Sequence, residues 1–225
     1  MNCAVFLSTV ADGNLYNRRD PLDQSVIARR KAFLAKHGLA IEHTTRVAFT
    51  YTNEDDPYDR YRMLEDSMTG SGMADDIIYP ADALVTTEPG RILFLPVADC
   101  IGAVLYDPEQ QVLMVSHFGR HSLENNGAVT SVEFLSKNYG ADPRKLRVWM
   151  TAAAGKENFP IWKLNNGGMK EAAFEQLASA GVLLGNIIDD PADTTVDLSY
   201  YSYSEFLKGN REVDGDHAII AVMQA

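Results

Sequence analysis

Ala81–Gly90 reads ADALVTTEPG, and two apolar runs follow it, one reaching Asp99-Cys100 and the other ending at His117-Phe118-Gly119. Between the runs lies Asp107-Pro108-Glu109-Gln110, in which proline occupies the turn position whose φ it pre-sets. Apolar, β-branched segments on both sides of such a tetrad are typical of a β-hairpin. The sequence therefore predicts a hairpin from Ile101 to Ser116.

The register of this hairpin decides what its two ends can do. If Tyr106 pairs with Gln111, Cys100 lies directly opposite His117, with the Cβ atoms roughly 4.5–5.5 Å apart. A thiol facing an imidazole can form a nucleophile–base pair or supply two ligands to one metal ion. A lone cysteine in an apolar strand is also commonly a small buried core residue. A histidine at a strand end is commonly a surface or core residue with ordinary packing. The hairpin alone leaves these alternatives open.

Composition restricts the classes of function. The chain has 225 residues, is 46% hydrophobic and 23% charged, and is long enough for one large domain, which we place at 1–225. A formal charge of −11 excludes an extended nucleic-acid surface, which needs clustered Lys and Arg. Two cysteines are too few for a disulfide framework, and no apolar run has the ~20 residues of a membrane helix. No signal-like segment opens the sequence, so we expect a cytoplasmic protein without a membrane partner.

Hydrophobic periodicity predicts strands and helices that alternate irregularly. In chain order, the predicted elements are a strand at Cys3–Val10, a helix from Asp20 as N-cap to about His37, a strand at Ile41–Thr52, an irregular region at Asn53–Pro80, the hairpin, a helix at Asn126–Tyr139, a strand at Leu146–Ala154, a helix at Met169–Ala180, a short strand at Asn186–Asp190 and a central strand at His217–Met223. This order, with a local hairpin, favours an α+β protein with mixed sheets.

The motifs of these segments resemble those of the laccase-domain family, also called multicopper polyphenol oxidoreductase-like proteins or purine nucleoside phosphorylases of that family. The resemblance rests on motifs in a fixed order along nearly the whole chain. They are Ala-Asp-Ala-Leu-Val-Thr with Pro-Gly at Ala81–Gly90, Ala98-Asp99-Cys100, Asp107-Pro108, His117-Phe118-Gly119, Trp162-Lys163-Leu164 and Tyr201-Ser202-Tyr203.

This resemblance implies two mixed β-sheets packed together and flanked by helices, in a fold akin to that of Cys/His deamidases. It implies a transferase that phosphorolyses purine nucleosides, with adenosine deamination as a related activity. It also implies zinc held by one cysteine and two histidines beside a pocket for nucleoside and phosphate. By motif, Cys100 and His117 are the candidate catalytic residues and two of the zinc ligands, and Asp99, Arg120 and His121 are candidate substrate-binding residues.

The sequence departs from the family pattern at the metal. The family places its other histidine in a motif that corresponds here to Phe49–Asn53, which contains none. His121 can replace it only if the loop after Gly119 folds back, and otherwise it is an exposed loop residue. Arg120, which follows Gly119, is a candidate anion ligand or a surface cation. Zinc in an open catalytic site takes three protein ligands, and the motifs supply two.

Copper oxidation is excluded by the ligand inventory. The chain has five histidines and no His-x-His pair, whereas a multicopper cluster needs many imidazoles. Three hypotheses remain: a nucleoside-processing enzyme, a metal-free hydrolase with Cys100 as nucleophile and His117 as base, and a non-catalytic binding module. The sequence leaves the oligomeric state open.

Overall fold

A computed structural model of the chain describes residues 2–49 and 61–224. Within these residues the strands are β1 (Cys3–Leu7), β2 (Thr44–Arg46), β3 (Tyr61–Met63), β4 (Ala83–Thr86), β5 (Ile92–Val97), β6 (Ile101–Asp107), β7 (Val112–Phe118), β8 (Arg147–Met150), β9 (Ile187–Asp189) and β10 (His217–Met223). The helices are α1 (Gln24–Lys36), α2 (Arg120–Glu124), α3 (Gly127–Tyr139), α4 (Met169–Ser179) and α5 (Tyr203–Leu207). No helix in this part of the chain is long and apolar enough to cross a bilayer.

The strands form two sheets. A four-stranded sheet has the order β1-β10-β5-β2, and a six-stranded sheet has the order β3-β4-β7-β6-β8-β9. Most neighbouring strands are antiparallel, but β2–β5, β3–β4 and β8–β9 are parallel pairs. The predicted α+β class with two mixed sheets is therefore confirmed.

Alternating side chains on the strands build the layers, because successive residues of a strand point to opposite faces. On β5, Leu93 and Leu95 enter a core shared with Val104 and Val115 of the other sheet, so the two sheets pack face to face. Phe94, on the opposite face of β5, lies in the core beneath α1. The outer face of the six-stranded sheet is covered by α3 and α4 through a third core. The layers are therefore helix, sheet, sheet and helices.

Several predicted elements besides the hairpin needed correction. Helix α1 begins at Gln24 with Asp23 as its N-cap, because the Asp23 carboxylate accepts the Ser25 N–H while Asp20 closes a separate local turn. The predicted strand Ile41–Thr52 shrinks to β2, because a 3₁₀ turn precedes it. The region predicted as irregular contains β3, which pairs with β4. Residues 50–60, which include part of both predictions, lie outside the described residues.

The hairpin is present as β6 and β7, but the predicted register is wrong by two residues. Tyr106 pairs with Leu113 and Gly102 pairs with His117, so Cys100 is not directly opposite His117. The reason is a longer loop: Asp107 accepts the N–H groups of Glu109 and Gln110, and Gln111 adopts a positive φ. Since a shift of two residues keeps every side chain on its face, Cys100 and His117 stay on the same side of the sheet.

Candidate functional site

A cavity of about 360 Å³ opens between the sheets, where β5 and β7 end and β6 and β10 begin. Its wall combines aromatic rings, small apolar groups and ionisable groups. The lining residues are Tyr16, Arg18, Phe49, Val97, Ala98, Cys100, His117, Tyr203 and Asp216. Pockets of this size and mixed lining are typical sites for small molecules.

Cys100 and His117 meet around Gly119. A methyl group built on the Gly119 Cα would lie 2.7 Å from the His117 Cε1 atom and 3.3 Å from the Cys100 sulfur. The imidazole and the sulfur therefore both occupy the space next to this glycine, which an alanine would fill. Gly119 is the N-cap of the short helix α2, and the N–H of the next residue, Arg120, donates to the Cys100 sulfur.

Burial keeps both of these side chains uncharged at neutral pH. Cys100 keeps some exposed surface on the cavity, yet enclosure by protein, reinforced by the nearby Asp99 charge, raises the pKa of its thiol to about 12. Burial lowers the pKa of His117 to about 4. The Phe49 ring stacks on the imidazole of His117 at 4.1 Å between ring centres and only 8° between planes. The pair is therefore a neutral thiol beside a neutral imidazole in an apolar wall.

Asp99 acts as a structural link close to the cavity. Its backbone has a φ of 75°, which turns the chain between β5 and β6. Its carboxylate accepts the Thr194 hydroxyl at 2.8 Å and the Ser204 N–H at 2.7 Å. These bonds fix the start of α5 and with it Tyr203, whose ring lines the cavity. Asp99 is buried and does not itself line the cavity.

A charged cluster forms another part of the cavity wall. The Arg18 guanidinium bonds Asp214 through Nη1 at 2.6 Å and Asp216 through Nη2, and it lies 4.3 Å from the centre of the Tyr203 ring. Asp216 is 2% exposed. Burial and the negative charges of Asp214 and Asp99 raise the pKa of its carboxyl to about 7, against the opposing effect of Arg18.

The structure does not bring the other two predicted residues into the cavity. Arg120 and His121 lie on α2, with the Arg120 Nη2 atom 3.1 Å from the His121 Nε2 atom. The His121 Nδ1 atom lies 3.7 Å from a Glu124 carboxylate oxygen. Arg120 is exposed, and neither side chain is part of the cavity lining.

Among the described residues, the donor set is one ligand short of the zinc site that the resemblance implies. Cys100 and His117 are two candidate ligands, and the described part of the chain holds no group of three or more His, Cys, Asp or Glu side chains placed to bind a metal. Asp216 shares the cavity, but its carboxylate bonds Arg18. A catalytic zinc site needs three protein ligands, and the described residues around Cys100 supply two.

An adjoining cavity of about 300 Å³ shares Tyr16 and Phe49 with the first. Arg46 lines it, with its Nε atom donating to the Gly72 carbonyl at 2.7 Å and its guanidinium 4.8 Å from the centre of the Tyr16 ring. Arg19 and three aspartates also line this space. Tyr16 and Phe49 therefore line both compartments, and each compartment contains basic and acidic side chains.

Sequence reasoning missed most of the cavity wall. Arg18 belongs to a basic pair that has no distinctive spacing, and Tyr16 lies in a loop. The one usable signal was Asp216, because an acidic residue directly before His217 and the apolar run that follows it is an unusual place for a charge.

Comparison with known proteins supports the family and the fold. A purine nucleoside phosphorylase of Corynebacterium glutamicum is 36% identical over 80 residues, so the chain matches about a third (32%) of that curated relative's length. The structure of Bacillus licheniformis hypothetical protein YfiH superposes with a TM-score of 0.84 and 17% identity over 99% of this chain and 93% of that one. The structure of YlmD from Geobacillus stearothermophilus superposes with a TM-score of 0.85 and 17% identity over 99% of this chain and 92% of that one.

At such low identity the two structures establish the fold alone. The family follows from residues 10–166, well over half of the chain, which match the family described as multi-copper polyphenol oxidoreductase laccase. The resemblance inferred from the ordered motifs is thereby confirmed, and the chain belongs to this family as a divergent member.

Proposed function

We propose that this protein processes purine nucleosides, cleaving inosine or adenosine with phosphate in the Cys100–His117 cavity. The observation that carries the proposal is the cavity itself, in which aromatic walls enclose a few ionisable groups. The name of the Corynebacterium relative supports the same substrate class. The proposed partners are a nucleoside and phosphate in the cytoplasm, with no nucleic acid or membrane taking part.

The cavity suits a purine because flat rings bind bases by stacking. Tyr16, Phe49 and Tyr203 supply three rings, and Phe49 is held parallel to the neutral imidazole of His117. A neutral imidazole offers one hydrogen-bond donor and one acceptor, which match the polar edge of a purine or the hydroxyl groups of ribose. His117 therefore serves in this proposal as a binding group.

Phosphate needs positive charge close to the sugar. Arg18, which is paired with two aspartates, lines the nucleoside cavity, and Arg46 and Arg19 line the adjoining one together with three aspartates. We place phosphate at the boundary of the two compartments, where guanidinium groups can bind its oxygens. Adenosine deamination does not form part of the proposal, because it requires a metal-bound water and the described donor set is incomplete.

The first test is direct turnover. Purified protein given inosine and phosphate is expected to release hypoxanthine and ribose 1-phosphate, measured by chromatography, and to release no base when phosphate is omitted. Because no step requires zinc, the rate is expected to survive dialysis against a chelator. His117→Ala is expected to lose the activity, while His43→Ala, which changes an exposed histidine away from the cavity, keeps it.

Two results would contradict the proposal. Absence of base release from both inosine and adenosine would remove it. Binding of the nucleoside without turnover would support a non-catalytic binding module instead.

A metal-free hydrolase with Cys100 as nucleophile is the second candidate, and it requires a thiolate. We expect the opposite, because a thiol pKa of about 12 leaves roughly one molecule in 10⁵ ionised at neutral pH, against a few per cent for free cysteine. Iodoacetamide should therefore modify Cys100 at least about 100-fold more slowly than free cysteine at pH ~7. Mass spectrometry of the Cys3→Ser variant isolates this thiol. Alkylation as fast as that of free cysteine would restore the hydrolase hypothesis.

A further inference from the structure

We propose that Asp216 donates the proton that the departing purine needs, and that Arg18 positions its carboxyl group. This inference rests on the proposed function and assigns a residue to the departure of the purine base. Neither residue was singled out by the motifs of the family, and both line the same cavity as Cys100 and His117.

The geometry leaves one carboxyl oxygen of Asp216 available to a ligand. Its Oδ1 atom accepts Arg18 Nη2, whereas Oδ2 makes no hydrogen bond with any residue in the described ranges. The backbone is fixed on both sides, since the Asp216 N–H donates to the Asn14 side chain at 2.9 Å and its carbonyl accepts the Leu15 N–H at 3.0 Å. The carboxyl group is therefore held on the cavity wall with one oxygen unused.

Burial is the main cause that raises the pKa of the Asp216 carboxyl above its ordinary value. Asp214 and Asp99 oppose a further negative charge at Asp216, while Arg18 partly compensates for it. The result is a pKa of about 7, and a general acid works best when its pKa lies near the operating pH. Cys100, with a pKa of about 12, is too weak an acid, and His117, with a pKa of about 4, is unprotonated at neutral pH.

In the proposed step, phosphate displaces the purine base from the ribose. A phosphate oxygen forms a bond to the ribose C1′ atom while the C1′–N9 bond breaks. The electron pair of the broken C1′–N9 bond passes into the purine ring. The Asp216 carboxyl transfers its proton to N7 of the purine, so that the base leaves neutral. The carboxylate that remains pairs with Arg18 and takes a proton from solvent before the next turnover.

Substrates that differ in their need for a proton provide the test. The base of 7-methylguanosine already carries a positive charge and leaves without protonation at N7. Asp216→Asn is expected to lower kcat on inosine by at least about 100-fold, the usual contribution of a general acid, and to change kcat on 7-methylguanosine by less than about threefold. Glu212→Gln, which alters an exposed carboxylate close in sequence, should leave both rates unchanged.

The outcomes separate the inference from the proposed function. An equal loss on both nucleosides would show that Asp216 only maintains the cavity, and unchanged rates on both would show that it has no role; either result overturns the inference alone. Wild-type protein that phosphorolyses neither nucleoside overturns the proposed function, and the inference with it. An unfolding curve like that of wild type is required of each variant.

Discussion

Replacing Gly119 by alanine is expected to reduce nucleoside phosphorolysis by about 100-fold or more, although the change adds one methyl group. That methyl group would lie 2.7 Å from the His117 Cε1 atom, 3.0 Å from its Nε2 atom and 3.3 Å from the Cys100 sulfur. Gly119 has a φ of −83°, which alanine adopts freely, so the backbone is not the cause. The imidazole and the sulfur must instead move away from the added methyl group. Small displacements of binding groups have large kinetic effects. The measurement is kcat/KM for inosine.

Gly185→Ala is the matched control for this variant. A methyl group at Gly185 meets no atom within 4 Å and its φ is not positive, so both activity and stability should match those of wild type. If Gly119→Ala and Gly185→Ala behaved alike, the close approach of His117, Gly119 and Cys100 would have no functional meaning. A loss of activity with a normal unfolding curve locates the effect in the cavity.

The pairing of Cys100 with His117 on one face could be predicted from sequence because β-strands alternate with a period of two. An error of two residues in the register keeps that face, whereas an error of one would have reversed it. The loop length itself was not predictable from its proline. It depends on Asp107 capping two backbone N–H groups and on Gln111 accepting a positive φ.

The rest of the cavity wall could not be predicted from local patterns. Tyr16, Phe49 and Asp216 reach one cavity from three distant segments, and such contacts follow from sheet order. Asp216 lies on the cavity because β10 pairs with β5 inside the four-stranded sheet and begins where β5 ends. The sequence predicted an interior strand there, but not its neighbours. Arg120 and His121 illustrate the converse, since closeness in sequence to Gly119 did not place them on the cavity.

Acid is expected to destabilise the protein through His217, the first residue of β10. This side chain is fully buried, and neither ring nitrogen has a hydrogen-bond partner among the described residues. Its ring lies 5.2 Å from that of Tyr200. Burial lowers its pKa from 6.5 to about 4, because a charged imidazole there would be deprived of water. Between these two values the unfolded chain binds a proton that the folded chain does not, so stability falls as the pH falls below 6.5.

The free energy of unfolding is expected to fall by about 2 kcal/mol between about pH 7.5 and about pH 5 because of this one group. His117 contributes in the same direction and Asp216 in the opposite one, so the comparison of wild type with His217→Leu isolates His217. Leucine removes two unpaired polar atoms. The free energy of unfolding of the variant should be close to that of wild type at about pH 7.5, and the variant should become more stable than wild type as the pH falls. Urea unfolding measures the difference, with His43→Leu, at an exposed position, as the control. Equal pH slopes for wild type and His217→Leu would mean that the folded protein accommodates a charged imidazole at this position, and that burial does not set its protonation.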